Sequence, residues 1–361
     1  MRAILLRFVM EPFWGWETKE GIPFIGFGFI LIPWFLVALI SIVYSVKNRD
    51  PNSKTTVKQD VLASLATFCG VPMLLYFFLP ESLRSSGVPV FGYGLMMFLG
   101  IICATGFAIR NAKMLGLKSD VIMDMTMWLV VPGIVGGRMF YVFQKHYEHG
   151  MLRGKSFGEA LRTIVNLPDG GLVFFGAIIG GLGGFLAYCY RRKLNVLQMG
   201  DIVLPSVFIG LGFGRIGCFL YGCCFGGTCS LPWAVRFPKD SVPYDSQIST
   251  GFITPDALAS LPIHPTQIYS SVNAFLLAAV LILYLRHRPY NGAVLAIGWI
   301  IYPIARFILE LLRNDEVGLF NTGMTISQQI STFLLVTGII YTFVLVSTNG
   351  TMNWKNRKAA A

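Results

Sequence analysis

One arginine, Arg215, lies in an otherwise apolar stretch where a permanent charge is costly. It stands in Gly214-Arg-Ile-Gly-Cys-Phe-Leu-Tyr-Gly-Cys-Cys-Phe-Gly226, directly after an apolar run that begins at Ile202. A guanidinium keeps its charge at any accessible pH and persists in hydrocarbon only beside a partner, a water-filled cavity or an anion. Glycines let the backbone or a lipid approach closely, and this segment has them at Gly214, Gly217, Gly222 and Gly226. The segment predicts an anion-binding site within a membrane.

A second charged group lies in Arg306-Phe-Ile-Leu-Glu-Leu-Leu-Arg313. Arg306, Glu310 and Arg313 are spaced i, i+4 and i+7 and share one face of a helix. The other positions are apolar, so this polar face is expected to point into a helix bundle. Two arginines and one glutamate leave a positive charge that suits a phosphate. A structural ion pair near the helix end is the alternative, above all for Arg313.

A third intramembrane arginine is Arg138, in Gly133-Ile-Val-Gly-Gly-Arg-Met-Phe-Tyr141. Gly133 and Gly137 form a small-xxx-small pattern that favours close helix packing. Arg138 is therefore either a third ligand-binding cation or a side chain that reaches from a packing interface toward the membrane surface.

Two polar segments adjoin predicted membrane helices. His264-Pro-Thr-Gln-Ile-Tyr269 brings His264, Gln267 and Tyr269 close together at one membrane face. A single histidine is more often structural, so both a structural and a functional role are kept. Tyr93, between two glycines, is typical of an interfacial tyrosine, although it could also face a substrate.

Four of the seven cysteines are clustered, at Cys218, Cys223, Cys224 and Cys229. The spacing does not match paired Cys-x-x-Cys zinc motifs. Near an exoplasmic surface disulfides persist, so one or two disulfides are the favoured interpretation, with a metal site or reduced thiols as alternatives. No metal and no cofactor is predicted.

The composition is that of an integral membrane protein. Hydrophobic residues make up 54% and charged residues 13% of the chain, about half the charged share of a soluble domain. Nine apolar runs reach the roughly 20 residues that a membrane helix needs: 24–46, 61–79, 91–109, 121–143, 172–190, 202–220, 268–285, 293–312 and 326–346. The predicted fold class is an all-α polytopic membrane protein with a small exoplasmic loop or cap at 221–264, in which Trp233 begins a predicted strand.

The net charge of +11 is spread over short loops, which favours cytoplasmic loops and lipid headgroups over nucleic acid as partners. The positive-inside rule places the C-terminus in the cytoplasm and the N-terminus outside. The first ten residues are interpreted as an amphipathic interfacial stretch rather than a cleavable signal. P-loop, nucleophile-elbow, His-Glu-x-x-His and Rossmann motifs are absent from the sequence, which argues against ATP-driven, serine-hydrolase, zinc-protease and dehydrogenase chemistry.

Taken in order, these pieces resemble the bacterial prolipoprotein diacylglyceryl transferase family. The matching elements are Tyr93-Gly94, Gly136-Gly137-Arg138, Asp169-Gly170-Gly171, Gly214-Arg215-Ile216-Gly217, Gly222, Gly226, His264-Pro265-Thr266-Gln267-Ile268-Tyr269, Tyr302, Arg306-Phe307, Glu310 and Arg313. The resemblance covers residues 88–346. It implies a seven-helix transferase domain at 88–361, preceded by an N-terminal extension, 1–87, with about two transmembrane helices.

The resemblance also implies a reaction. The family transfers the diacylglyceryl group of phosphatidylglycerol to the lipobox cysteine of prolipoproteins in the bacterial inner membrane, forms a thioether, releases glycerol 1-phosphate and needs no cofactor. Catalytic roles are implied for Arg215, Arg306, His264 and Tyr93. Substrate binding is implied for Arg138, Gly214, Gly217, Gly222, Gly226, Gln267, Tyr269, Tyr302, Glu310 and Arg313.

The chain departs from the family pattern at four positions. Phe175 stands where the family has a histidine, Cys218 and Tyr221 stand where it has asparagines, and Cys223 stands where it has a glutamate. Tyr93, Tyr221 or His264 could supply the base, or the arginines could lower the pKa of the thiol. A diverged paralogue with another acceptor and a lipid or anion transporter are the competing hypotheses.

Overall fold

The computed structural model of the protein describes residues 4–9, 16–19, 22–26, 88–165, 171–313 and 324–359. The chain divides into two compact units, Met1–Met96 and Met97–Ala361. Four strands and nine helices are described: β1 Ile4–Val9, β2 Trp16–Lys19, β3 Ile22–Gly26, β4 Val88–Phe91, α1 Gly92–Met114, α2 Ser119–His149, α3 Phe157–Val165, α4 Phe174–Arg191, α5 Val196–Tyr221, α6 Val242–Ser249, α7 Thr266–Leu285, α8 Ala293–Glu310 and α9 Ile326–Ala359.

The N-terminal unit contains a four-stranded sheet in the order β2-β3-β1-β4. β1 pairs with β3 in parallel and with β4 in antiparallel orientation. This sheet was not predicted, and the interfacial interpretation of the first ten residues missed β1. β3 also takes the first residues of the predicted span 24–46, so that span cannot begin at Phe24. The rest of it, and the predicted span 61–79, lie outside the described residues.

Seven of the described helices are long and apolar enough to cross a membrane, and they coincide with the last seven predicted spans. They are α1, α2, α4, α5, α7, α8 and the part of α9 up to Asn349. These helices confirm the predicted all-α, polytopic fold class; the described strands are confined to the N-terminal unit.

Glycines set the spacing between α2 and α4. A Cβ atom on Gly136 would collide with the Gly176 carbonyl, and one on Gly180 would collide with the Pro132 carbonyl. Small residues allow helix backbones to approach this closely, which favours association where the hydrophobic effect between helices is weak. The predicted small-xxx-small pair also faces this interface: Cβ atoms on Gly133 and Gly137 would lie 3.4 and 3.3 Å from the carbonyl oxygens of Ala177 and Val173.

One core cluster of the second unit lies around α5, α7 and α8. Ile209, Leu277, Leu281 and Val294 are buried there against one another. At the start of α5 the carboxylate of Asp201 accepts hydrogen bonds from backbone N–H groups at the start of α8. The two helices therefore begin at the same end of the bundle.

The loop between α5 and α7 forms a small cap with a short helix, α6. Phe237 is fully buried in it, and the Tyr244 hydroxyl donates to the carbonyls of Pro255 and Ala257. The strand predicted to begin at Trp233 is wrong as a regular element: only isolated bridges form, such as that between Val235 and Ile263.

Candidate functional site

The polar face of α8 is buried and its charges are paired. An Nη atom of Arg306 lies 2.8 Å from Oε2 of Glu310 and donates to the Ser327 hydroxyl at 2.9 Å. Arg313 lies 3.6 Å from the same Glu310 oxygen. Glu310 is 1% exposed. The predicted inward-facing charges are thus observed, but α8 ends at Glu310, so Arg313 lies in the following turn rather than on the helix.

Arg215, half-buried on α5, belongs to the same group of charges. Arg306 interacts electrostatically with both Arg215 and Arg313. Among the described residues, the ion pairs of this group join Arg306 and Arg313 to one carboxylate, that of Glu310. We call Arg215, Arg306 and Arg313 the arginine cluster. It brings three like charges together at one end of the bundle, an arrangement that attracts anions.

Gly226 joins this cluster to the cap. Its N–H donates to the His264 carbonyl, and the next N–H, of Gly227, donates to the carbonyl of Leu312. A Cβ atom at Gly226 would lie 2.7 Å from His264 and 2.8 Å from the Leu312 carbonyl oxygen. Only glycine fits here, and the contact fixes the chain beside Arg313.

Two buried side chains at the start of α7 hold the turn that follows α5. Thr266 donates its hydroxyl to the Cys224 carbonyl, and Gln267 donates its amide to the Cys223 carbonyl, each at 2.8 Å. The Oε1 atom of Gln267 is buried without a hydrogen-bond partner among the described residues. Gln267 was predicted, whereas Thr266 was missed as a site residue; its place between Pro265 and Gln267 was the available signal.

The cysteines of this turn are reduced. All six cysteines in the described residues are free, so the favoured disulfide interpretation is wrong for this structure. The thiols of Cys218 and Cys223 hydrogen-bond to the sulfur of Cys224, and the Arg215 and Arg313 charges act on it. The pKa of Cys224 consequently lies below its usual range. Hydrogen bonding to Cys218 and Cys224 raises the pKa of Cys223.

His264 lies in a short aromatic chain in the cap. Its Nδ1 is 3.5 Å from the Tyr269 hydroxyl, which accepts a hydrogen bond of 2.7 Å from the Trp233 indole N–H. His264 and Tyr269 are therefore neighbours, as their spacing in sequence suggested. The partner Trp233 was not predicted.

Arg138 has different surroundings. Its guanidinium donates to the carbonyls of Ile164, Gly171 and Thr163, at 2.8, 3.1 and 2.7 Å, and lies over the Tyr141 ring. These contacts tie α2 to the end of α3. Its predicted role in substrate binding remains a prediction.

The remaining predicted positions are distributed as follows. Gly222 ends α5 in a left-handed conformation, with φ of 91°. Gly214 and Gly217 lie on α5, and a Cβ atom on Gly214 would be 3.5 Å from the Met97 sulfur. The Tyr302 ring packs on Phe208. Tyr93 is 44% exposed at the start of α1.

Two further positions complete the predicted set. Phe175 is half-exposed on α4. Asp169 lies outside the described residues. Ser327, a partner of Arg306, was missed, although polar residues at the start of an apolar helix were a visible signal.

The sequence model of the prolipoprotein diacylglyceryl transferase family matches residues 80–344. A phosphatidylglycerol–prolipoprotein diacylglyceryl transferase of Clostridium tetani is 36% identical over 70% of this chain and 92% of its own length. A second such enzyme of Clostridium perfringens is 35% identical over 70% of this chain and 90% of its length. One of Rhodopirellula baltica is 26% identical over 94% of this chain and 88% of its length. The chain belongs to the prolipoprotein diacylglyceryl transferase family.

Proposed function

We propose that the protein transfers the diacylglyceryl group of phosphatidylglycerol to the lipobox cysteine of prolipoproteins, forming a thioether and releasing glycerol 1-phosphate. The chain belongs to a family of membrane transferases that the relatives' names associate with these two substrates. The observation that carries the proposal is the arginine cluster, which brings three guanidinium groups together at one end of a bundle of apolar, membrane-length helices.

The arginine cluster supplies what the donor lipid requires. As the acceptor sulfur forms its bond to the glyceryl carbon, the bond from that carbon to the phosphate oxygen breaks and negative charge grows on the leaving phosphate. Arg215 and Arg306 stabilise that charge with donors that are already in place. Glu310 and Ser327 fix the orientation of Arg306, so little reorganisation is needed during the reaction.

An apolar cleft lies between α1, α2 and α5. It has a volume of about 180 Å³, and its lining includes Met97, Ala104, Leu129 and Gly210. Met97 also faces Gly214, the residue before Arg215. A lipid with its phosphate on the arginines would find this cleft beside its glyceryl group, so we assign the cleft to an acyl chain.

The cap offers contacts for the acceptor peptide. His264, Tyr269 and Gln267 carry polar groups at the start of α7, and Tyr302 acts electrostatically on Arg306. We assign His264, Tyr269 and Gln267 to binding of the acceptor peptide. We assign Tyr302 to binding of the donor lipid. Tyr93 keeps its predicted catalytic assignment as part of this proposal.

The proposed placement is the bacterial inner membrane, with the N-terminus and the cap outside and the C-terminus in the cytoplasm. Basic residues after α1, α4 and α7 support it by the positive-inside rule. We propose 88–361 as the transferase domain and 1–87 as an extension with two transmembrane helices. The family match over 80–344 supports that division. The Rhodopirellula relative's match covers 94% of this chain and so includes part of the extension.

Reconstitution tests the function. The full-length protein is placed in phosphatidylglycerol vesicles with a synthetic lipobox peptide, and the peptide mass is followed. We expect a diacylglyceryl adduct that requires phosphatidylglycerol and is absent for a peptide with serine in place of cysteine. Folded protein that forms no adduct under these conditions would refute the proposed function.

A further inference from the structure

Three thiols converge beside the arginine cluster. The sulfur atoms of Cys218, Cys223 and Cys224 all lie within 4.8 Å of one another. Zinc–sulfur bonds of about 2.3 Å in a tetrahedral site place neighbouring sulfurs about 3.8 Å apart. We propose that these three thiolates bind one Zn²⁺ ion and that the acceptor cysteine takes the fourth position on it. The second half of this inference depends on the proposed function.

The chain around the thiols is held in place. Gly222 ends α5 in a left-handed conformation and Cys224, with φ of 60°, adopts one as well. A left-handed conformation is rare for a residue with a side chain and persists where the surroundings enforce it. Thr266 and Gln267 bind the two carbonyls of this turn. The turn therefore directs two sulfurs back toward that of Cys218, on the last turn of α5.

The number of ligands is that of a reactive zinc site. Among the described residues, the group of possible ligands consists of these three cysteines and has no fourth histidine, cysteine or carboxylate. Structural zinc sites in proteins have four protein ligands, whereas catalytic sites have three and keep one position open. The thiols are partly accessible rather than fully buried, so a fourth ligand from a substrate can reach the ion.

The surrounding positive charges favour the site with zinc and the acceptor thiolate bound. Three thiolates and one divalent ion carry one net negative charge, and a bound acceptor thiolate adds a second. Arg215 and Arg313 both interact electrostatically with the sulfur of Cys224. Arg215 also acts on Arg306. The same arginine thus links the zinc ligands to the residues proposed to bind the lipid phosphate, which places acceptor sulfur and donor phosphate side by side.

The ion would replace a general base. A thiol that binds Zn²⁺ loses its proton outright, and this proton leaves to water. The resulting thiolate donates an electron pair that forms the new carbon–sulfur bond. The carbon–oxygen bond to the phosphate breaks at the same time, and the electron pair of that bond leaves with the phosphate. The zinc ion does not change oxidation state and remains on the three cysteines when the thioether dissociates.

Metal analysis tests the site without relying on activity. Full-length protein purified in detergent without chelator is expected to contain about one zinc per chain. Cys229→Ser, a matched substitution in the same cap, should retain it, and the triple variant Cys218→Ser/Cys223→Ser/Cys224→Ser should lose at least about 90% of it. Equal zinc in the wild type and the triple variant, or no zinc in either, overturns the inference.

Cobalt substitution tests the fourth position in the wild-type protein, so it does not depend on a variant folding. Co²⁺ should give a thiolate-to-cobalt charge-transfer band that grows by about a third when the lipobox peptide adds a fourth thiolate. The peptide with serine should leave it unchanged. Zinc removal should slow transfer at least about 100-fold, with recovery on adding zinc.

The outcomes separate this inference from the proposed function. Transfer that proceeds at the normal rate without zinc overturns the role of the ion while the proposed function stands. A cobalt band that does not change when the lipobox peptide is added also overturns that role and leaves the proposed function standing. A peptide-responsive band without any transfer by the zinc protein supports the site and its fourth position, but refutes the proposed function.

Discussion

The two ends of α5 carry charged groups with different surroundings. Near its start, Asp201 accepts hydrogen bonds from Arg288 at 2.9 Å and from the N–H groups of Gly292 and Leu295 at 2.7 and 3.0 Å. One acid and one base are matched there, and both carboxylate oxygens are occupied by the protein. Near its other end, Arg215 belongs to the arginine cluster.

The two ends of α5 differ in whether their charged groups can bind a ligand. At the Asp201 end the chain satisfies its own charges, which connects α5 to the loop before α8. At the arginine end the protein brings three like charges together, an arrangement that a bound anion would stabilise. Burial alone therefore does not identify a functional site; a cluster of like charges is the better guide.

The largest effect is expected from Arg306→Gln. Removing one preorganised donor to a developing negative charge lowers the rate by about 10²–10³-fold. Initial rates of adduct formation in phosphatidylglycerol vesicles measure it, with thermal unfolding in detergent showing that the fold persists. A rate within about tenfold of the wild type would place the phosphate elsewhere and remove the functional half of the comparison.

At the other end, Asp201→Ala should affect stability instead. It leaves the buried Arg288 charge and two N–H groups without their acceptor, a loss of about 3–5 kcal/mol in the free energy of unfolding. Denaturant unfolding in detergent measures it. The transfer rate per folded molecule should be unchanged at low temperature. Asp201→Asn, which can still accept, should lose less; equal losses for the two variants would show that the hydrogen bonds do not matter.

The contrast between the two ends also explains what the sequence could predict. Arg306 and Glu310 were placed correctly because a helix brings residues four positions apart together. The partners of Asp201 lie about ninety positions away, across a complete helical hairpin, and no local pattern indicates them. The thiol cluster likewise depends on a turn held by Thr266 and Gln267 from another helix, so the sequence favoured disulfides instead.

The N-terminal sheet was not predicted because its strands pair over long sequence distances and each strand is a short apolar run. β1 pairs with β4, whose residues come some eighty positions later in the chain. Short apolar runs do not distinguish a strand from the start of a membrane helix. The seven spans of the second unit were predictable because each needs only its own twenty apolar residues.

Arg138 provides a third case, in which three backbone carbonyls accept hydrogen bonds from the guanidinium. Arg138→Met should remove three hydrogen bonds to a charged group and lower the free energy of unfolding by about 2 kcal/mol. Denaturant unfolding measures this, and the transfer rate per folded molecule should fall less than in Arg306→Gln. A rate loss as large as that of Arg306→Gln would support the predicted role of Arg138 in substrate binding.

The smallest effect is expected from Arg192→Gln. Arg192 forms an ion pair with Asp124 at 2.7 Å, shorter than that between Arg313 and Glu310, but the two side chains are 59% and 49% exposed. Water already solvates both charges, so the pair contributes at most about 0.5 kcal/mol. Unfolding measured at low and high salt should differ little between Arg192→Gln and the wild type. A loss comparable to that of Asp201→Ala would mean that distance rather than burial decides how much a charge matters in this protein.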